Sequence, residues 1–511
     1  MPTIVTSAAL KGLEAVEVEV EADATPGLRF FNVVGLPSKV VEESKDRIAS
    51  AIRNSGYLPY TAQNKRIIIN LAPADLKKEG PLFDLPVAIS YLMATKQIQA
   101  NETRRLFVGE LSLDGHLRPV TGVLSIVIMA QKAGYQEVVI PHQNIAEALL
   151  VKGIDVIGVK NLGQVIGHIT GANVIKPGRQ SEKEFSRPNF PVDFSDVRGQ
   201  ESAKEALIIA AAGGHNVLMY GPPGSGKTLL AKAFPSILPP LSYLESLEVT
   251  KLFSVAGLLG KTALIQNRPF RDPHHSASPH AIIGGGTIPR PGEISLAHRG
   301  VLFLDELPEF PRGVLESLRQ PLEAGHVVVS RTAGTVKFPA NFTLIAAMNP
   351  CPCGNFGSDK EDCLCSTGAV SRYQKKISGP LLDRIDLHLN VSRETIRKVS
   401  GRDESKKALD STEISKKVIL ARDIQSKRFG AIKTNASMSS REVEKYCHLS
   451  EVDFRFVEKI LDKKGISARG YHKILKVART IADLQGMATI DKSHIAQAVH
   501  FRLFDSSNRF F

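Results

Sequence analysis

A glycine-rich loop that joins a strand-like run to a helical pattern constrains the fold of this chain most strongly. The stretch reads NVLMYGPPGSGKTLLAKAF. Glycines at this position let backbone N–H groups curl around phosphate oxygens where a helix begins. The spacing predicts that the lysine reaches the β and γ phosphates of ATP and that the threonine hydroxyl binds Mg²⁺. The predicted nucleotide-binding residues are Gly221, Pro222, Pro223, Gly224, Ser225, Gly226, Lys227 and Thr228.

Two further apolar runs end in polar residues of the kind that ATP hydrolysis requires. HRGVLFLDELPEF ends a strand-like run at Asp305 and Glu306, and FTLIAAMNP leads to Asn349. After a phosphate loop, the first pair predicts an aspartate that faces Mg²⁺ and a glutamate that polarises the attacking water. Taken alone, the pair is also typical of an ordinary strand followed by an acidic turn. Asn349 is predicted to sense the γ phosphate and to hold the water.

The length of 511 residues is too great for one hydrophobic core and predicts a multidomain chain. Residues 1–175 mix alternating and helical segments, which indicates an α+β domain. Residues 176–191 are rich in Pro, Ser and charge and are predicted to be a linker. Residues 192–391 carry the nucleotide motifs of an α/β P-loop module, and residues 392–511 are predicted to form an all-α domain.

Composition limits the environment and the partners of the protein. The sequence has no run of 18 apolar residues and no basic start followed by an apolar core, so we expect a cytoplasmic chain with no membrane partner. Residues 391–511 contain 25 Lys and Arg against 15 Asp and Glu, which is +10 of the net charge of +13. This excess favours a polyanionic partner such as DNA, although a basic solvated face is a commoner cause.

Four of the five cysteines lie within one short stretch, NPCPCGNFGSDKEDCLC. Cys351, Cys353, Cys363 and Cys365 form two Cys-x-Cys pairs that could supply four thiolates to a structural Zn²⁺. Reduced free thiols and a redox switch are the alternatives. The isolated Cys447 is expected to be a small buried apolar residue.

Two arginines extend the pattern of the nucleotide motifs. GPLLDRIDLHL contains Arg384 and SARGYHKILKVART contains Arg469. With the phosphate loop and LFLDE, these segments resemble the magnesium chelatase-like branch of the AAA+ ATPases. The resemblance implies that Arg384 is a finger that reaches the ATP of a neighbouring subunit, that Arg469 is the second sensor of a helical lid, and that the protein is a homo-hexamer. Either arginine could instead be a plain salt-bridge partner.

The first domain resembles the proteolytic domain of Lon proteases through FVGELSLDGHLRPVTGVLSIVIMAQKAGYQEVVIPHQN. The resemblance implies a Lon-protease-like (S5-like) fold with a catalytic serine and lysine. This chain has Leu82 and Leu124 at the matching positions. Because leucine can neither attack a carbonyl nor take up a proton, the domain is predicted to be proteolytically inactive and to serve in assembly or in binding of a protein partner.

The combination of a Lon-like domain, a chelatase-like AAA+ module with the cysteine insertion and a helical lid resembles the YifB/ComM family over essentially the whole chain. This resemblance implies an ATP-hydrolysing hexameric DNA helicase that drives branch migration during natural transformation. A protein-remodelling ATPase that acts on a protein partner is the alternative. No helix-turn-helix is evident, and SKRFG, with Lys427, Arg428 and Phe429, and nearby Lys433 are candidates for a DNA-contacting patch.

Segments that could line the pore of a ring complete the sequence-based predictions. They are the interval from Leu252 to Gly292 and VVVSRTAGTVKF, in which Arg331 and Lys337 flank a glycine. His274 and His275 in the first segment are expected to be structural or pore-facing, since no second ligand pair accompanies them.

Overall fold

The computed structural model describes residues 2–36, 38–78, 80–179, 190–260, 262–286, 289–331, 334–357, 361–394, 410–464 and 467–502. Most of the predicted linker and most of the polar stretch after residue 394 therefore lie outside the described residues. The domain boundaries stay a prediction.

The N-terminal region is built on one mixed sheet. Its strands are β1 (Thr3–Lys11), β2 (Glu14–Pro26), β3 (Phe30–Val34), β4 (Lys65–Ala72), β5 (Arg105–Phe107), β6 (Glu110–Leu111), β7 (Leu117–Arg118), β8 (Glu137–Pro141) and β9 (Asp155–Val159). Its helices are α1 (Lys39–Asn54), α2 (Asp84–Ala94), α3 (Val123–Lys132), α4 (Ile145–Ala148) and α5 (Leu162–Ile169). Seven strands form the sheet in the order β3-β4-β2-β1-β5-β8-β9, and β6 pairs with β7.

Alternation of valine and glutamate builds the centre of this sheet. Val18, Val20 and Ala22 of β2 are buried, while the glutamates between them face the other side. Strand β1 pairs antiparallel with β2, with Val5 opposite Val20. Leu82 and Leu124 are both buried, so the positions that would carry protease chemistry serve as apolar packing. The Lon-like fold itself stays a prediction.

The second region is organised around five parallel strands. Its strands are β10 (Val217–Tyr220), β11 (Phe270–Arg271), β12 (Gly284–Gly285), β13 (Arg290–Pro291), β14 (Val301–Leu304), β15 (His326–Arg331), β16 (Gly334–Pro339), β17 (Thr343–Met348) and β18 (Leu387–Asn390). The central sheet has the order β11-β14-β17-β10-β18, and all of its pairs are parallel. Strands β10, β14 and β17 are buried throughout, which explains their uninterrupted apolar sequences.

Helices cover this sheet, and short hairpins project from it. The helices are α6 (Glu201–Gly213), α7 (Lys227–Ala233), α8 (Tyr243–Ala256), α9 (Pro279–Ile283), α10 (Glu293–Leu296), α11 (Arg312–Ser317), α12 (Arg319–Ala324), α13 (Thr367–Gln374) and α14 (Gly379–Leu382). Strands β15 and β16 form the hairpin predicted from VVVSRTAGTVKF, with Arg331 opposite Gly334. Among the described residues of the interval from Leu252 to Gly292, helix α9 and the short antiparallel pair β12–β13 follow β11.

The C-terminal region is helical, as its sequence predicts. It contains α15 (Ser411–Phe429), α16 (Ser440–Tyr446), α17 (Glu451–Lys464), α18 (Ala468–Leu484) and α19 (Lys492–His500). Ser439, Ser467 and Asp491 cap the starts of α16, α18 and α19 with side-chain hydrogen bonds. These helices share one buried apolar cluster with α6 and one face of the five-stranded sheet. The lid therefore packs directly on the AAA+-like module.

Polar contacts join the first region to the second. Ser254 Oγ at the end of α8 donates to Glu147 Oε2 at 2.6 Å, and the Tyr243 hydroxyl donates to the carbonyl of Leu150 at 3.0 Å. The backbone N–H of Gly122 also donates to the carbonyl of Ser254. Within the described residues, no helix is both long enough and apolar enough to span a bilayer.

Candidate ATP site and cysteine cluster

The phosphate loop leaves β10 at its carboxyl end and enters α7 at Lys227. A Cβ on Gly221 would lie 2.1 Å from the carbonyl oxygen of Val391, so only glycine fits there. Gly224 and Gly226 have φ values of +72° and +93°, a conformation that residues with a Cβ rarely adopt. The loop therefore has a backbone conformation that requires glycine at these positions.

Lys227 turns its ammonium group back into the loop. Nζ donates to the carbonyls of Gly221 at 2.7 Å and Pro222 at 2.9 Å, and lies 3.3 Å from Oδ1 of Asn349. Burial lowers the pKa of Lys227 to about 8, although the negative charge of Asp305 opposes this shift. A buried cation whose hydrogen bonds go to neutral oxygens is suited to phosphate, which would replace weak acceptors with charged ones.

Thr228 and Asp305, the two residues predicted to bind Mg²⁺, lie side by side at the carboxyl edge of the parallel sheet. Thr228 Oγ1 donates to Asp305 Oδ2 at 2.8 Å, which brings the helix start and the end of β14 together. A hydroxyl and a carboxylate side by side next to the lysine are the oxygen ligands that Mg²⁺ uses beside nucleotide phosphates. The donor set therefore fits Mg²⁺ with ATP.

Glu306 follows Asp305 in a constrained conformation. Its φ of +51° is left-handed and uncommon for a residue with a Cβ. Its backbone N–H donates to Asp305 Oδ1 at 2.9 Å, and its carboxylate Oε2 lies 3.2 Å from Nδ1 of His275. The His275 ring also packs on His274, with 4.1 Å between centroids. His275 thus contacts the candidate general base, a role that its sequence did not reveal.

Asn349 completes the group, because β17 lies between β10 and β14 and its carboxyl end opens at the same edge of the sheet. The structure therefore brings together Lys227, Thr228, Asp305, Glu306 and Asn349. Strands β14, β17 and β10 are adjacent and parallel, so their carboxyl ends lie at the same edge of the sheet. The residues that follow these strands therefore form one site.

Arg384 lies at the other end of the sheet. Its backbone carbonyl accepts a hydrogen bond from Nδ2 of Asn216, the residue before β10, whereas the phosphate loop begins after the last residue of β10. The four residues of β10 span about 13 Å. The guanidinium forms an ion pair with Glu323, and its Nε has no hydrogen-bond partner among the described residues.

Arg469 is exposed at the start of α18, on the same side as Arg384. Arg384 and Arg469 together hold the pKa of Glu323 below its usual value, with the hydrogen bond from Arg384 as the larger cause. Four residues further along α18, Lys473 forms a 2.7 Å ion pair with Asp386. The two arginines are therefore neighbours across the joint between the sheet and the lid.

A buried polar network strengthens this joint. Asp386 Oδ2 lies 3.2 Å from Nδ1 of His215, whose Nε2 lies 2.8 Å from the hydroxyl of Thr480 on α18. The charges of Lys473 and His215 hold the pKa of Asp386 far below its usual value despite its burial. The second aspartate of the DRID segment thus ties the arginine-bearing loop to the lid helix.

The four clustered cysteines converge in space. Their sulfurs all lie within 4.8 Å of one another, with 3.3 Å between Cys351 and Cys353 and 3.7 Å from each of these to Cys363. A tetrahedral Zn²⁺ with bonds of about 2.3 Å requires sulfur–sulfur distances of about 3.8 Å. The backbone N–H of Phe356 also points to the Cys351 sulfur at 3.3 Å. The cluster, completed by Cys365, fits a four-thiolate metal site.

The isolated cysteine is buried, and two cations of the basic patch form ion pairs. Cys447 is buried, as predicted. Arg428 pairs with Asp483, and Lys433 pairs with Glu442 at 2.5 Å. Each of these two cations pairs with a carboxylate within the C-terminal helices, and a DNA-contacting patch at SKRFG and Lys433 stays a prediction.

Sequence reasoning missed three residues that hold the site in place. Gln200 donates from Nε2 to the carbonyl of Ser225 in the phosphate loop at 3.2 Å. Arg393 donates to the carbonyl of Pro223, and Glu323 pairs with Arg384. These partners come from separate parts of the chain, and only the position of Arg393, three residues after the end of β18, offered a signal.

Comparison with known proteins agrees with this geometry. Three family models match the chain: "Magnesium chelatase, subunit ChlI" over residues 193–399, "Subunit ChlI of Mg-chelatase" over residues 20–144, and "Magnesium chelatase, subunit ChlI C-terminal" over residues 408–502. The family of the central module implies ATPase activity, and ATP and Mg²⁺ as its cofactors.

Relatives match over nearly the full length. The chain is 44% identical to the competence protein ComM of Haemophilus influenzae, with 98% of this chain and 97% of the relative covered. It is 42% identical to the uncharacterized protein YifB of Salmonella typhimurium over the same shares. The magnesium-chelatase 38 kDa subunit of Rhodobacter capsulatus is 29% identical over 32% of this chain and 51% of that subunit. With its phosphate loop, paired acidic residues and helical lid, this chain belongs to the YifB/ComM family of magnesium chelatase-like AAA+ proteins.

Proposed function

We propose that this protein is a ring-forming, ATP-driven motor that moves on DNA in the cytoplasm. The observation that carries the proposal is the 44% identity to a competence protein over 98% of the chain. Competence is the capacity of bacteria to take up DNA, so DNA is the expected substrate of a motor in that process. The net charge of +13 supports a polyanionic partner. Branch migration during recombination of incoming DNA is the activity that we propose.

ATP hydrolysis would use the residues at the carboxyl edge of the sheet. Lys227 would bind the β and γ phosphates, and Thr228 with Asp305 would hold Mg²⁺. Bound Mg²⁺ neutralises phosphate charge during transfer to water. Glu306 would accept the proton of the attacking water, and Asn349 would orient that water, since Asn349 already lies 3.3 Å from the lysine ammonium.

The position of Arg384 supports a homo-hexameric ring. Because Arg384 lies at the opposite end of β10 from its own phosphate loop, its position favours contact with the ATP of a neighbouring subunit over contact with its own. A neighbouring subunit would supply the ATP that it contacts, and head-to-tail repetition of that contact closes a ring. Glu323 would hold Arg384 until the neighbour arrives, and Arg469 would act at the same interface.

The cysteine cluster supports a structural Zn²⁺. Cys351, Cys353, Cys363 and Cys365 would hold the metal with all four positions filled, so it has no chemical step to perform. The N-terminal region, in which Leu82 and Leu124 are buried, would be a binding or assembly module for a protein partner.

Hydrolysis of ATP by the purified protein tests the proposal. It is measured without DNA and with single-stranded, duplex and four-way-junction DNA, with Glu306→Gln as the control for contaminating activity. We expect stimulation by DNA that falls steeply as salt rises, because phosphate contacts release counterions. Hydrolysis that depends on Glu306 but ignores every DNA would contradict the proposal. It would favour a protein-remodelling motor, consistent with the match to a magnesium-chelatase subunit.

A further inference from the structure

The cysteine cluster lies directly against the phosphate loop. Gly354, next to Cys353, has a φ of +86°, and a Cβ at this position would lie 2.5 Å from Cδ of Pro223. The absence of a side chain therefore lets the cysteine loop approach the nucleotide-binding loop closely. Pro223 is one of the residues that precede Lys227 in the loop.

A single arginine bridges the two loops. Arg393 donates from Nε to the carbonyl of Pro223 at 3.2 Å and from a terminal nitrogen to Oε1 of Glu361 at 2.9 Å. Glu361 lies two residues before Cys363. The arginine lies two residues after Val391, whose backbone N–H donates to the carbonyl of Tyr220 at the end of β10. One side chain thus connects the cysteine loop to the phosphate loop from a fixed base.

Metal binding would decide whether this connection is rigid. Without a metal, four sulfurs within 4.8 Å of one another would lack the ion that neutralises thiolate charge, and the two Cys-x-Cys pairs would lose the bonds that hold them together. With the metal, both Cys-x-Cys pairs are fixed, and Glu361 is fixed with them. Part of the free energy of metal binding would thereby order the cysteine loop, whose Gly354 lies against Pro223.

We propose that the cysteine cluster is a metal-dependent brace of the phosphate loop, and that Arg393 is the positioning residue that transmits it. The inference rests on the zinc site of the proposed function. In this arrangement the metal raises affinity for nucleotide by holding the loop in its binding shape. The metal does so from outside the reaction site, through the Glu361–Arg393–Pro223 contacts.

The test measures zinc per chain and, separately, the dissociation constant of a fluorescent ATP analogue under conditions without turnover. The variants are Arg393→Ala, Glu361→Gln and Cys363→Ser. Arg372→Ala is the matched control, because Arg372 is exposed and its Nε donates to the carbonyl of Gly368 within its own helix. We expect wild type to hold about one zinc per chain, as the single four-thiolate site requires.

Arg393→Ala and Glu361→Gln should keep the zinc and weaken nucleotide binding about three- to tenfold, the loss of a partly exposed charged hydrogen bond. Cys363→Ser should lose the zinc and weaken binding at least as much. Adding Arg393→Ala to it should weaken binding little further, because both changes break one connection. Arg372→Ala should match wild type.

Two results would overturn the inference in distinguishable ways. A zinc-free Cys363→Ser protein, or a zinc-loaded Arg393→Ala protein, that binds nucleotide like wild type would refute the brace and leave the metal site standing. Wild-type protein without bound metal, after purification in zinc-containing buffer, would refute the metal site itself. Because Arg393→Ala and Glu361→Gln leave the cysteines intact, the test does not depend on the folding of a cysteine variant.

Discussion

Nδ1 of His275 lies 3.2 Å from Oε2 of Glu306, so the candidate general base is paired with a histidine from the loop after β11. Both side chains are partly exposed, at 32% and 54%. The same loop continues into α9 and the β12–β13 pair. A contact made in that segment can therefore change the position of Glu306.

Replacing His275 with alanine should raise hydrolysis in the absence of DNA about two- to fivefold. The contact is a partly exposed pair worth about 0.5–1 kcal/mol, and its loss frees the carboxylate to turn to the water. Affinity for nucleotide should not change, since His275 does not contact the phosphate loop residues described above. Steady-state hydrolysis and analogue binding are the measurements. His116→Ala is the matched control, because His116 is an exposed histidine paired with Asp114 in the N-terminal region. A fall in rate would show that His275 orients Glu306 productively.

Nucleotide affinity should depend on pH through Lys227. Burial lowers the pKa of this lysine to about 8 in the free protein, and a bound phosphate would raise it again. Below pH 7 the lysine is already charged, so affinity should be constant. Above pH 8 binding requires uptake of a proton, and the dissociation constant should rise up to about tenfold per pH unit. Calorimetry at pH 8.5 in buffers with different ionisation enthalpies would detect that proton. Binding without proton uptake would contradict the shift.

Arg384→Ala should abolish hydrolysis, by about 10³-fold or more, and leave nucleotide affinity unchanged, because the arginine serves the neighbouring site. Glu306→Gln should be equally inactive. Mixing the two proteins should restore activity, since an interface between them can combine an intact Glu306 with an intact Arg384. With equal amounts and random assembly, about one interface in four is complete. Mixtures that stay inactive after subunit exchange would refute an arginine supplied by a neighbour.

Asp386→Asn should loosen the joint between the sheet and the lid. The aspartate forms a 2.7 Å ion pair with Lys473 and contacts His215, and both its neighbours are largely buried. Breaking one side of a buried pair costs about 3–5 kcal/mol, because the remaining charge is left uncompensated. Denaturant unfolding monitored by hydrogen exchange in α18 would measure the loss. Asp423→Asn, an exposed aspartate on α15, should change stability little. Equal stability of both variants would contradict the joint.

The catalytic side of the ATP site was predictable because strand and phosphate-loop chemistry is local. Glycines that permit the loop, and apolar strands that end in Asp305 and Asn349, lie in continuous segments. Once the strands are parallel, their carboxyl ends meet, so the site follows from sequence order. The two Cys-x-Cys pairs likewise predicted that the four cysteines lie close together, and this is confirmed. The ion pairs of the basic patch were not predictable, since sequence cannot reveal that Arg428 pairs with Asp483, which is 55 residues away.

The sequence by itself therefore determined the family, and it pointed to the candidate nucleotide-binding residues and to the four clustered cysteines, because each depends on residues that are close along the chain. Only the tertiary structure decided which partners these residues have. In the folded protein His275 contacts Glu306, and Glu323 forms an ion pair with Arg384. Arg393 connects the cysteine loop to Pro223. The physical reason is that such contacts join segments many residues apart, and their geometry follows from how sheet, lid and loops pack together. No periodicity or spacing encodes that packing.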